Sequence, residues 1–153
     1  LKFTWVPASW HGRSHLQSVR PLWLDVNECG SSEFAVPAGF SSTAWTWKAD
    51  LAGPILAIAG HVHDYGIDIY AQNDTTGQRI CDSVARYGTT PDYVDMMGMA
   101  HVSDMSGCLA RSGHHPVGEV NLGDTISIHA QYNPPVHDDH VMGIMVAYLA
   151  SPS

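Results

Sequence analysis

Thr125-Ile-Ser-Ile-His-Ala-Gln-Tyr132 and, beyond Pro134-Pro135, Met142-Gly-Ile-Met-Val-Ala-Tyr-Leu149 are the two stretches that decide the fold. Both are rich in β-branched and aromatic residues, and the prolines between them end the first because neither can donate to a ladder. In the second stretch Met142, Ile144, Val146 and Tyr148 share one face of a strand, while Val141, Gly143, Met145 and Ala147 share the other. Shorter runs of the same kind occupy residues 34–36, 44–48, 55–58 and 67–70. Asn73-Asp-Thr-Thr-Gly77 separates residues 67–72 from 79–84, with a glycine where a positive φ is needed, so it reads as a hairpin loop. Leu122-Gly-Asp124 is the turn that leads into Thr125. Helices are disfavoured throughout, because 14 Gly and 9 Pro are spread along the chain.

Six or more short strands without helical interludes predict an all-β fold, an antiparallel β-sandwich of jelly-roll type. A chain of 153 residues fits one domain. Residues 1–49 are expected to form a lead-in segment and the first strands, with residues 50–153 as the core. The first thirty residues read as extended lead-in. Residues 87–116, rich in Gly and Met, read as long loops with one embedded strand.

Charge narrows the partners. The chain carries 7 Lys plus Arg against 15 Asp plus Glu, a formal charge of −8, yet it has 10 His. Such a chain has no basic footprint for neutralising phosphates, which argues against nucleic acid, and its acidity argues against anionic membranes. No apolar run approaches the roughly 20 residues of a membrane span. The start at Leu1, with no basic segment followed by an apolar one, reads as a mature product or an excised domain. Three cysteines, Cys29, Cys81 and Cys108, lack any short metal-ligand spacing. Cys81 and Cys108 both lie in turn-rich sequence flanking a hydrophobic strand and are the favoured disulfide, with three buried free thiols as the alternative.

His61-Val-His63 is the most informative tripeptide. If the strand from Ile55 runs through it, both imidazoles project from one face and can converge on one ion, while Val62 points away. Neutral imidazole suits Cu, Zn, Fe and Ni. Met142, at the mouth of the last strand, is on its own more readily a packing residue than a ligand.

The order Gly60-His-Val-His-Asp-Tyr-Gly66, then Val120-Asn-Leu-Gly-Asp-Thr-Ile-Ser127, then Val141-Met-Gly-Ile-Met-Val-Ala-Tyr148 resembles the C-terminal copper domain of the type II ascorbate-dependent monooxygenases, such as peptidylglycine α-hydroxylating monooxygenase. It resembles still more closely the single-domain stress-up-regulated nodulin-like proteins, which share the GHVH motif, Cys81 after the hairpin, Tyr87-Gly88, Cys108, the GD turn and the terminal VMG. The resemblance covers roughly residues 50–150. It implies a metal site of His61, His63 and Met142 holding copper as Cu(I) or Cu(II), in a jelly-roll domain of a secreted, extracellular protein. Soft thioether with imidazole selects copper, whereas zinc rarely takes Met.

The chain departs from the two-domain enzymes in one respect. About fifty residues precede the matched region, too few for the domain that carries their second, three-histidine copper. Two expectations follow. One is a copper-binding protein that sequesters or delivers the ion; the other is a copper-dependent monooxygenase or oxidase using an external reductant, with dioxygen or peroxide and a small organic substrate as partners. A sandwich without metal is the third.

The other histidines are weighed in the same way. His11, His15, His114 and His115 read as exposed. His129 reads as a core or supporting residue, and His137 and His140 as neighbours of the ion or holders of hydrogen bonds. His101 lies among Met96, Met97, Met99 and Met105, which as a group read either as a Cu(I)-collecting surface or as packing. Asp64, Asp68 and Asp138 are the candidate carboxylates for orienting the ligands.

Overall fold

The computed structural model describes residue 7 and residues 17–110 and 115–150. Its strands are β1 (Val19–Asp25), β2 (Glu33–Val36), β3 (Ser41–Lys48), β4 (Gly53–Val62), β5 (Gly66–Asn73), β6 (Gln78–Tyr87), β7 (Val102–Met105), β8 (Gly107–Leu109), β9 (Gly118–Val120), β10 (Thr125–Tyr132) and β11 (Asp138–Ala150). A 3-10 turn, Pro91–Tyr93, interrupts them. All pairings between strands are antiparallel, in one sheet of order β1-β11-β4-β8 and another of order β3-β10-β5-β6-β7. In the first sheet β2 also pairs with β11 and β9 with β4. The two late strands β10 and β11 take central places between early ones, so the fold is the all-β sandwich that the strand pattern predicts.

Inward positions of both sheets form one core. Ile126, Ile128, Ala130 and Tyr132 of β10 alternate into it, facing Val141, Met145, Ala147 and Leu149 of β11 and Ile55, Ile58 and Val62 of β4. Ile55 and Ile58 are three apart, which breaks strict alternation. The β4–β11 register shifts where Tyr148 pairs Ala57 and Leu149 pairs Ile55, and this bulge at Leu56 returns both isoleucines to the inner face.

The lead-in contributes more than an extended tail, since residues 19–25 form β1 along the outer edge of β11. The described residues of 87–116 include two short strands where one was expected. The chain turns between sheets at Ser106: β7 pairs with β6, and β8, two residues on, pairs with β4. Ser106 N donates to Val84 O at 3.0 Å, and its hydroxyl accepts from Val84 N at 2.8 Å, which fixes the corner. Cys81 and Cys108 form the disulfide, and Cys29 is free and exposed. The bridge ties β6 in one sheet to β8 in the other. Among the described residues no helix is long and apolar enough to cross a membrane.

Candidate metal centre

The Gly-His-Val-His sequence works by alternation. Val62 points into the core and is 1% exposed. Gly60 points the same way, and a Cβ there would lie 2.1 Å from Ile69 Cγ2 and 3.1 Å from Ser83 Cβ, so only glycine lets β4 approach the other sheet this closely. His61, between them, faces outward, and His63 follows on the same side just past the end of β4. Their ring centroids are 5.3 Å apart with planes at 83°. Partial desolvation, and then the neighbouring His63, hold His61 below the usual imidazole range, which favours its neutral, ligating form.

His63 is oriented from behind. Its Nδ1 lies 2.7 Å from the carbonyl oxygen of His140. A carbonyl only accepts, so Nδ1 carries the proton and Nε2 keeps the free lone pair. The sequence pointed to a carboxylate for this task, and the structure uses a main-chain carbonyl instead. Asp138 contributes indirectly, accepting from His140 N at 2.9 Å and shaping the turn that presents that carbonyl. Asp64 is committed elsewhere, and Asp68 Oδ1 is buried with no partner among the described residues.

Register places Met142. The last β4–β11 pair is Val62 with Gly143, preceded by His61 with Ile144. Directly paired residues share a face. Gly143 faces the core, where a Cβ would meet Ala130 Cβ at 2.6 Å. Met142 therefore belongs to the outward face with His61 and Ile144, one step beyond the ladder and beside the chain at His63. It is half-buried and paired with Glu33 of β2.

Tyr132, which sequence reading placed only as the end of a strand, occupies the gap where that ladder stops. Its hydroxyl accepts from His63 N at 2.8 Å and donates to Met142 O. The phenol is fully buried, with its ring edge-on to Phe34 at 6.0 Å, and burial pushes its ionisation well above the ordinary tyrosine range. One inward side chain from the opposite sheet thus links the two segments that carry the expected ligands. The available signal was the inward position of a tyrosine, whose buried hydroxyl must find partners.

The pair opens on a cleft of about 690 Å³ whose walls include His61, His63, His101, Tyr93, Met105 and Asp138. His101 is held there by Asp64. Nδ1 lies 2.5 Å from Oδ2, and Asp64 Oδ1 also accepts from Val102 N at 2.7 Å. The hydrogen bond to Asp64 holds His101 above its ordinary range.

The remaining described histidines do not join the pair. His140 Nδ1 reaches Glu33 at 3.1 Å, and His137 reaches Asp139 at 2.8 Å. His129 stacks on Tyr70, with ring centroids 4.5 Å apart, and Arg79 lies over the same tyrosine, on the outer face of the β3–β7 sheet. His115 is exposed, and His11, His15 and His114 lie outside the described residues. Among the described residues no group of three His, Cys, Asp or Glu side chains is placed to hold a metal ion. A site at His61 and His63 therefore needs a donor of another kind.

Fold and site define a β-sandwich domain with a backed imidazole pair at the open rim of one sheet. The chain belongs to the stress up-regulated Nod 19 family, whose model matches residues 14–152. No curated protein and no solved structure matches it.

Proposed function

We propose that this domain is an extracellular mononuclear copper-binding protein with His61, His63 and Met142 as ligands, resembling the oxygen-activating copper site of peptidylglycine α-hydroxylating monooxygenase. The observation that carries the reading is the imidazole pair, with centroids 5.3 Å apart and His63 Nδ1 engaged by the His140 carbonyl. At this spacing one nitrogen of each ring could reach a shared ion at about 2.0–2.1 Å. The Tyr132 hydroxyl supports the third ligand, because it holds the main chain of Met142 against that of His63. Two imidazoles and a thioether suit copper in both oxidation states. The disulfide supports an oxidising compartment.

Titration of the apo protein with Cu(I) under competition from a chromophoric chelator tests this reading. One high-affinity equivalent is expected at the pair. His61→Ala or His63→Ala should abolish it, and Met142→Ala should weaken Cu(I) at least tenfold while affecting Cu(II) less. Unchanged Cu(I) affinity in Met142→Ala would remove Met142 from the site.

The cleft of about 690 Å³ beside the pair favours a second reading, a copper-dependent monooxygenase or oxidase. Copper, when bound, supplies one-electron chemistry toward dioxygen or peroxide. The chain's own contribution would be to seat a small organic substrate between Tyr93, His101 and the histidine pair. Oxygen consumption with ascorbate, above that of free copper and dependent on an added peptide or catechol, is the expected sign of turnover.

A further inference from the structure

Met96, Met97 and Met99 stand together on one short turn, with fractional exposures of 106%, 93% and 41%. Three of the chain's six methionines therefore lie outside the core, within four consecutive positions. Flexible thioethers normally fill gaps in cores, and leaving them in water forgoes that burial. The turn is also well built. Val94 pairs with Ala100 across it, Asp95 N donates to Met99 O at 2.9 Å, and Gly98 N donates to Asp95 O at 3.0 Å. Asp95 Oδ1 accepts from both Met97 N and Met99 N at 2.8 Å. Gly98 takes φ +83°, a conformation that favours glycine.

The turn is anchored to the segment that carries His63. Asp64 holds His101 Nδ1 and Val102 N at its base, while the Tyr65 hydroxyl lies 3.8 Å from Met99 Sδ. Tyr93 and His101, at the two ends of the turn, both line the cleft that His61 and His63 open on. The exposed methionines thus stand on a braced hairpin whose two ends reach the cleft wall. Thioether is a neutral, soft donor that takes Cu(I) and leaves Zn(II), Mg(II) and Ca(II) to harder ligands.

We infer that the 94–100 hairpin is a second metal site, one that takes Cu(I) through the thioethers of Met96, Met97 and Met99 at the mouth of the cleft. Its binding of Cu(I) stands apart from the His61/His63/Met142 reading. Only its use as an acquisition point for that centre rests on it. No redox change is involved, since Cu(I) arrives and is passed on as Cu(I).

Protein labelled with [13C-methyl]methionine, followed by NMR during addition of Ag(I) as a redox-inert stand-in for Cu(I), and then of anaerobic Cu(I), tests the inference. The methyl signals of Met96, Met97 and Met99 should shift together, saturating with one equivalent in the His61→Ala/His63→Ala variant and by two equivalents in the parent chain. Zn(II) should leave them in place. The triple variant Met96→Leu/Met97→Leu/Met99→Leu keeps the apolar surface, so it should retain the parent's melting temperature while losing one equivalent of Cu(I). Stationary hairpin methyls, with the Met142 methyl moving, would overturn the inference and leave the histidine centre standing. Shifting hairpin methyls, with Met142 unmoved, would do the reverse. Equal shifts with Zn(II), or full Cu(I) capacity in the leucine variant, would also overturn it and leave the hairpin as an apolar contact surface.

Discussion

Tyr132 shows how a single side chain can set the spacing of a site without belonging to it. Removing its oxygen leaves His63 N–H and Met142 C=O facing each other across a gap once filled by a phenol. Tyr132→Phe should therefore destabilise the domain by about 1–3 kcal/mol, read from the urea midpoint at unchanged m-value. It should also lower Cu(I) affinity while leaving stoichiometry intact. A variant with parent stability and parent affinity would mean that the hydroxyl is incidental. Gly60 was visible in the sequence only as the residue before His61; its reason, the approach of Ile69 and Ser83 from the other sheet, is a tertiary fact. By contrast the His61/His63 pairing was legible directly, because alternation along a strand is a local rule. The support behind His63 was not, since a main-chain carbonyl carries no signature in residue type.

At the scale of elements, legibility followed length and regularity. β10 and β11 were readable from their uninterrupted β-branched and aromatic runs, and so was the 73–77 hairpin from its glycine. β1 was not, because Pro21 and a mostly exposed edge give it little alternation until Leu24 and Asp25 reach the interior. β7 and β8 were missed as separate strands because they have four and three residues and exchange sheets at a serine corner held by hydrogen bonds. The disulfide acts at this same corner. It closes a loop of 27 residues in sequence and joins β6 to β8 across the sandwich. Loss of both cysteines, Cys81→Ser with Cys108→Ser, should cost about 3–4 kcal/mol by the loop-entropy relation, seen as a lower denaturant midpoint. It should also loosen the wall of the cleft formed by β7. Equal midpoints for the oxidised parent and the double variant would show that the sheets are held by the core alone.

For the molecule as a whole, the arrangement concentrates chemistry at one end. β4 and β11 deliver His61, His63 and Met142 to the same rim, β10 supplies Tyr132 from beneath, and Tyr93 and His101, at the ends of the Met hairpin, line the cleft beside the histidine pair. The chain's charge of −8 draws cations to the molecule and disfavours phosphate ligands. The composition hinted at metal through 10 histidines; among the described residues His101, His129, His137 and His140 are held by hydrogen bonds or stacking, while His61 and His63 form the converging pair. The central claim is that this pair and Met142 bind one copper ion. X-ray absorption at the copper edge, on protein loaded with one equivalent of Cu(I) and carrying Leu at positions 96, 97 and 99 to silence the hairpin, tests it most directly. The predicted spectrum contains two imidazole scatterers and one sulfur, and the sulfur disappears in Met142→Leu. A sulfur contribution that survives Met142→Leu, or a site with no imidazole scattering, would contradict it.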